Sequence, residues 1–432
     1  MKYTLLTGAL LLAGYATAVP MIPSPSHSEG YVSPMYSAPH ADIVKDSYIV
    51  VLKDSLHPAK IEEHTSWVTQ LANNNSPWTQ WLHPSSSSHG VRHVYDRPTL
   101  KGYSGKFDSD TLDAIRASED VAYVEKDSIV YASELQRDAP WGLARVAHRD
   151  GLTLKTFNKY EHSKEGGKDV KVYVIDTGIN VAHVDFEGRA IWGKTVPQGD
   201  PDEDGNGHGS HCAGTIAGKK YGIAKQAQPV AVKVLRSNGS GSMSDVLLGV
   251  DWAASAHVKD AKEAKDSGKP YKGAVANMSL GGGKSPSLDR AVDGAVEDGV
   301  IFAVAAGNDN KDACDYSPAR AQKAITVGAT TLFDERASFS NYGKCVDVFA
   351  PGQDILSIWN SNKYATNTIS GTSMASPHVA GLAAYLLSLE EGSDVTPKQI
   401  KDKIIKLSSR GVLDGIPSDT PNLLIFNGAD SS

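Results

Sequence analysis

The sequence predicts an α/β protein built on a parallel sheet, preceded by a small α+β unit, and three observations carry that expectation. From Ala139 to about Asn427, apolar strand-like runs alternate with helical runs and Gly-rich turns, the texture of strand–helix–strand crossovers. Ahead of that region the order is different. Tyr48-Ile49-Val50-Val51-Leu52 reads as a strand, and Pro58 opens a helix with Ile61, Val68 and Leu71 on one face. Ser109 offers a cap to a second helix carrying Leu112 and Ile115, and Val121 to Val124 and Ile129-Val130-Tyr131 supply more strand, a plan like the split βαβ unit. The third observation is size. A chain of 432 residues, 40% hydrophobic and 22% charged, has material for at least two folded units and one large core.

Lys2 precedes an apolar run from Leu5 to Tyr15 that closes on Ala16-Thr17-Ala18, so residues 1–18 read as a signal peptide. That run is shorter than the roughly 20 residues a membrane span requires, and no membrane partner is expected. Residues 19–45, rich in Pro, Ser, His and Tyr without a period, read as a flexible linker. The net charge of −7 comes without runs of like charge, so no nucleic-acid partner is indicated. Three cysteines exclude a disulfide-dense scaffold and allow one bridge at most. Asn74-Asn75-Ser76 and Asn238-Gly239-Ser240 match the glycan acceptor pattern, whereas Asn277-Met278-Ser279 falls in an apolar strand pattern and should be inaccessible.

Within the α/β region three strands run into polar residues: Val172 to Ile175 into Asp176, Val275 to Met278 into Ser279, and Phe302 to Ala306 into Gly307-Asn308. Open α/β sheets bind ligands at the carboxyl ends of their strands, which locates the candidate site. Ser373 lies between Gly371, which permits a sharp turn, and a helical run with Pro377 near its start. Such a serine is commonly a helix cap; as a nucleophile it would project from a helix N-terminus whose free N–H groups favour an oxyanion. His208 is flanked by Gly207 and Gly209, leaving room for a base to meet nucleophile and substrate. Asp176 ends a buried strand and needs a partner there. The chain order Asp, His, Ser is one of the known orders of a hydrolytic triad. Asn308 is either a left-handed turn residue or a side-chain donor to an oxyanion beside the backbone N–H of Ser373.

The blocks Val174 to Gly178, Asn206 to Thr215, Ser279-Leu280-Gly281-Gly282-Gly283, Ala305 to Asn308 and Gly371 to Gly381 resemble the proteinase K branch of the subtilases, and in particular the fungal vacuolar proteases called cerevisins. The resemblance implies a subtilisin-like three-layer α/β/α catalytic domain over 134–432, preceded by a ferredoxin-like inhibitory propeptide over 46–133. It implies a monomeric serine endopeptidase acting on proteins and peptides, with its own propeptide as intramolecular inhibitor and no cofactor required for catalysis. Asp176, His208 and Ser373 would be the triad, with Asn308 and Ser373 as oxyanion hole. Substrate would lie extended between Ser240-Gly241-Ser242-Met243 and Ser279-Leu280-Gly281. Gly281, Gly282 and Gly283 with Ala305, Ala306 and Gly307 would leave an open, uncharged pocket for large apolar or aromatic residues. Cys212, one helical turn beyond His208, is similar to the buried thiol of proteinase K relatives. Cys314 and Cys345 flank the strand region after Asn308 and are the candidate disulfide, a pairing that spacing alone does not establish. Asp347 matches a calcium-binding carboxylate of proteinase K, although Gln322 replaces the proline whose carbonyl assists there. Residence in a vacuole lumen or outside the cell is expected, and the chain stops at Ser432, short of the C-terminal extension common on cerevisin-like precursors.

Two other readings compete. Asp176, His208 and His211 offer ligand types for a metal hydrolase, but they leave Ser373 and Asn308 without a role. A catalytically silent peptide-binding or inhibitor protein would not need all four catalytic residue types.

Overall fold

The change of texture along the sequence corresponds to two compact units, Met1–Val130 and Tyr131–Ser432. The computed structural model describes residues 30–37, 43–74, 89–97, 99–128, 133–392 and 395–429. The signal peptide reading, Asn75-Ser76 of the first glycan acceptor, the strand expected over Ile129-Val130-Tyr131 and Ala132 lie outside the described residues.

In the first unit, β1 (Met35–Tyr36), β2 (Ile43–Leu52), β3 (Gly90–Arg97), β4 (Leu100–Lys106) and β5 (Val121–Ser128) form a sheet in the order β1-β5-β2-β4-β3. Among the described residues two helices cover it, α1 (Pro58–Asn74) and α2 (Ser109–Arg116), and Val50, Ile61, Val68, Tyr103, Leu112, Ile115 and Val124 share one core. Two expectations change in detail. The cap of α2 is Asp108, which accepts from Thr111 N, so Ser109 is the first helical residue. The stretch expected as a linker contains structure: Met35 pairs with Val124, Ser33 N donates to Arg116 O, and the Tyr31 hydroxyl donates to Val121 O. The edge of β5 offers unpaired backbone groups, and this extended segment satisfies them.

The second unit opens with an antiparallel pair, β6 (Ser133–Arg137) and β7 (Lys159–Ser163), flanking α3 (Trp141–Val146). Its main sheet contains β8 (Val170–Asp176), β9 (Ile191–Thr195), β10 (Gln228–Lys233), β11 (Gly273–Met278), β13 (Val300–Ala305), β15 (Ile325–Thr330), β16 (Val348–Pro351), β19 (Ser409–Arg410) and β20 (Leu423–Leu424). Their order is β19-β20-β16-β15-β13-β11-β8-β10-β9, parallel throughout except at β19–β20. Short antiparallel pairs join β12 (Gly282–Gly283) to β14 (Tyr316–Ser317), and β17 (Ile355–Ile358) to β18 (Thr366–Ile369).

Parallel strands covered on both faces are apolar on both faces, and β8 shows why. Val172 and Val174 point into a core shared with α4 (His208–Ala217), α7 (Thr372–Leu389) and α8 (Pro397–Leu407). Tyr173 and Ile175 point the other way, against α5 (Met243–Ser267) and α6 (Pro286–Glu297). Helices on both faces leave the carboxyl ends of β8, β11 and β13 free to present side chains, and α4 and α7 begin beside those ends.

Candidate active site

Asp176 is the last residue of β8 and is fully buried. Its Oδ1 accepts from Thr177 N at 2.7 Å and from His208 Nδ1 at 2.8 Å, while Oδ2 lies 3.0 Å from the same nitrogen. His208 begins α4 after Gly207, whose φ of +105° places it in the left-handed region where a Cβ would also strike the Trp359 ring. Burial opposes charging the His208 imidazole, but the Asp176 carboxylate, helped by Asp204, outweighs it and holds the pKa above the ordinary histidine value. With Nδ1 committed to Asp176, Nε2 is the free ring nitrogen, and the side chain keeps 26% of its surface exposed.

Ser373 is the second residue of α7 and half-buried. Its hydroxyl donates to Ser279 O at 3.1 Å. Pro377, expected within the first turn, is the sixth residue of α7, where it withholds the N–H that Ser373 O would otherwise accept. That carbonyl instead accepts from Ser279 Oγ at 2.7 Å and from Cys212 Sγ at 3.4 Å. Ser279 Oγ in turn accepts from Asn277 Nδ2, and Asn277 Oδ1 accepts from Ser376 Oγ. The nucleophile candidate is thereby tied to the end of β11 and to the face of α4 that carries His208. Cys212 Sγ, a His208 ring nitrogen and an Asp176 oxygen all lie within 4.8 Å of one another. Burial raises the Cys212 pKa far above its ordinary value, so the thiol stays protonated.

Asn308 follows β13 on the exposed rim. Its Oδ1 accepts from Thr372 N at 2.8 Å and from Thr372 Oγ1 at 2.9 Å, which fixes the amide. A Cβ built on Gly371 would stand 3.6 Å from Asn308 Nδ2 and 3.5 Å from Ser373 N, so the two donors face a common space that glycine keeps open.

A cleft of about 430 Å³ runs beside His208, lined by Thr177, Asn206, Leu235, Gly239, Ser240, Gly241, Met243, Val246, Ser279, Leu280, Gly281 and Leu288. Of the segments expected to flank substrate, Ser240, Gly241, Met243, Ser279, Leu280 and Gly281 line it. Ser242 instead caps α5, accepting from Asp245 N, and Met243 starts that helix rather than continuing a strand. Gly282 and Gly283 pair with Ser317 and Tyr316, Ala305 and Ala306 are buried, and Gly307 takes φ of +106°.

Asp204, which sequence reasoning did not single out, connects these parts. Its Oδ1 accepts from Thr177 Oγ1, Asn206 N and Gly207 N, and its Oδ2 from Ser210 N and Ser210 Oγ. A carboxylate ahead of a Gly-Asn-Gly turn was the available signal.

The metal reading does not survive the geometry of His211. Its Nε2 donates to Ile355 O at 2.9 Å, and burial lowers its pKa to about 4, with its ring set against Trp359. A disulfide joins Cys314 to Cys345, with Cα atoms 5.3 Å apart. Asp347 Oδ2 accepts from Thr326 N at 2.8 Å and from Lys401 Nζ at 3.0 Å. The carboxylate is thus already paired with a lysine ammonium, and the residues present do not fit calcium there. Asn277 is fully buried and Asn238 is engaged with Ser240.

Residues 167–419 match the subtilase family, and residues 47–133 match the peptidase inhibitor I9 family. Subtilisin-like serine protease Pen c 2 from Penicillium citrinum is 55% identical over 418 residues, covering 93% of this chain and 92% of its own length. Alkaline protease 2 from Aspergillus fumigatus is 54% identical over 418 residues, covering 93% and 84%. The crystal structure of a cold adapted subtilisin-like serine proteinase is 45% identical with a TM-score of 0.59, covering 67% of this chain and 98% of that one. A parallel sheet carrying Asp, His and Ser candidates at one edge, an inhibitor unit ahead of it and relatives matched over nearly their full length lead to one family: the chain belongs to the subtilases and is a serine endopeptidase made as a zymogen.

Proposed function

We propose that Ser373, His208 and Asp176 perform the hydrolysis, and the observation that carries this reading is the two-oxygen grip of buried Asp176 on His208 Nδ1. That grip fixes the tautomer and leaves Nε2 to accept a proton. Rotation of the Ser373 side chain away from Ser279 O brings Oγ to the base, a rearrangement common between free and substrate-bound sites. Oγ attacks the scissile carbonyl carbon as its proton passes to His208, and the carbonyl π pair moves onto oxygen. Asn308 Nδ2 and Ser373 N receive that oxyanion. Collapse expels the amine, which takes the proton from His208, and leaves an acyl ester on Ser373. Water, deprotonated by His208, then releases the acid and restores the serine.

The cleft favours an extended peptide held by backbone pairing, which asks little of sequence. Large apolar or aromatic residues are the preferred side chains before the scissile bond, with broad selectivity because apolar pockets discriminate weakly per methylene. The precursor cuts itself between about Ala132 and Leu135, next to the boundary between the two units. The released propeptide then occupies the cleft as a product and assists the folding of a slow, parallel-sheet domain. The protein acts as a monomer that enters the secretory pathway and ends in a vacuole lumen or outside the cell. No helix among the described residues is long and apolar enough to cross a membrane.

The test is Ser373→Ala. The variant should keep the circular dichroism of the wild type, lose hydrolysis of an unfolded protein substrate, and remain full length apart from its signal in a host lacking other proteases. Substantial turnover by the pure variant would refute the nucleophile, and normal cleavage would refute self-processing.

A further inference from the structure

Three oxygen donors converge on one point between β15, β16 and α8. Lys401 Nζ donates to Ala324 O at 2.6 Å, to Asp347 Oδ2 at 3.0 Å and to Gln322 O at 3.4 Å. The carbonyls come from the turn entering β15, and the carboxylate from the residue before β16, itself anchored by Thr326 N. The pair is largely enclosed, with 17% of the Lys401 side chain and 23% of the Asp347 side chain exposed. One carboxylate with two carbonyls is a hard-oxygen set of net charge −1. An ammonium neutralises it fully and satisfies all three oxygens, whereas a divalent ion would leave an excess positive charge in a partly buried place.

We propose that the Lys401 ammonium is the built-in cation of this site, so that the chain needs no calcium there, and that removing it opens a latent calcium site. A free ion stabilises a fold only in proportion to its concentration over its dissociation constant. A tethered ammonium has no such dependence: it arrives with α8, which is held by Pro397 at its first position and a capping box between Thr396 and Gln399. A set with a single carboxylate would bind calcium weakly, with a dissociation constant of about 10⁻⁴–10⁻³ M.

The experiment uses the mature enzyme blocked with a serine-directed phosphonyl fluoride, and compares wild type, Lys401→Ala, Asp347→Asn and the double variant. Bound calcium per molecule is read by equilibrium dialysis at about 5 mM, enough to fill a site of that affinity. Lys401→Ala should bind one calcium more than wild type and the double variant should lose it. Melting of Lys401→Ala should rise by about 3 °C more than wild type when calcium replaces chelator at about ten times the dissociation constant. Should Lys401→Ala fail to fold, the other comparison still decides. Asp347→Asn with the calcium content of wild type supports the inference, and a content lower by one overturns it. A folded Lys401→Ala that binds no additional calcium also overturns it.

Discussion

At the scale of single residues, the site depends on carboxylates that do different work. Asp176 touches the His208 ring, whereas Asp204 holds the backbone that places it, through the Gly207 and Ser210 amides and Thr177. In Asp204→Asn the amide nitrogen would meet the Ser210 N–H, donor against donor, and the negative charge that helps raise the His208 pKa would vanish. With His208 as the proposed base, which must be neutral to act, activity falls as pH drops through its pKa, which lies above the ordinary value of about 6.5. The variant should therefore lose roughly 10-fold to 10²-fold in kcat from misplacement, while the acid limb of kcat/KM moves to lower pH. A pH–rate profile checks both; an unmoved limb would leave Asp204 a purely mechanical role. The candidate residues Asp176, His208 and Asn308 stood out in the sequence because each sits beside glycine or at a strand end, and Ser373 because Gly371 precedes it by two residues. Asp204 was not, since a buried acceptor of backbone N–H groups has the same local sequence as an ordinary turn.

At the scale of elements, alternation of strands and helices was readable, and register and capping were not. The sequence places Pro377 in a first turn, because an interior proline normally disrupts a helix. The structure tolerates it because Ser279 and Cys212, remote in sequence, supply the missing donors. Met35–Tyr36 escaped notice because two residues of strand have no period, and their pairing is decided by the exposed edge of β5. The helix α1 carries a further consequence. His64 is buried against Tyr103, 3.1 Å from its hydroxyl, and lies 3.5 Å from Asp120 Oδ2. Burial pushes its pKa down to about 4, against the pull of Asp120 and Glu63 and with Lys60 adding to the depression. The unfolded chain takes up this proton near pH 6.5 and the folded unit only near pH 4, so stability is complete above 6.5 and drains away between those values. The loss is on the order of 3 kcal/mol by pH 4. Hydrogen exchange of the Ser373→Ala precursor should show residues 43–128 losing protection between pH 7 and pH 5, and His64→Gln should flatten that dependence. Equal protection at both pH values would contradict the burial argument.

At the scale of the whole molecule, the parallel sheet brings residues nearly 200 positions apart to one edge, and only that pairing turns separate motifs into a site. Asp176 and Ser373 come to the same end of the sheet because β8 is a central strand and α7 packs across it, an arrangement implied by the alternation of elements but not by any local stretch. The same packing makes one atom into a natural clock. Cys212 is the sole cysteine outside the disulfide, is fully buried, and donates an S–H hydrogen bond to the carbonyl of Ser373. No thiol reagent reaches it until α4 and α7 part, and a suppressed thiolate slows the reaction further. Its modification rate in phosphonyl-blocked enzyme should therefore lie on the order of 10³-fold or more below that of the denatured chain, and should quicken with urea in step with loss of structure. Rapid labelling of fully folded enzyme would mean instead that the ground beneath His208 opens alone. Read over time, one sulfur thus reports how often the catalytic edge comes apart, without any substrate being cut.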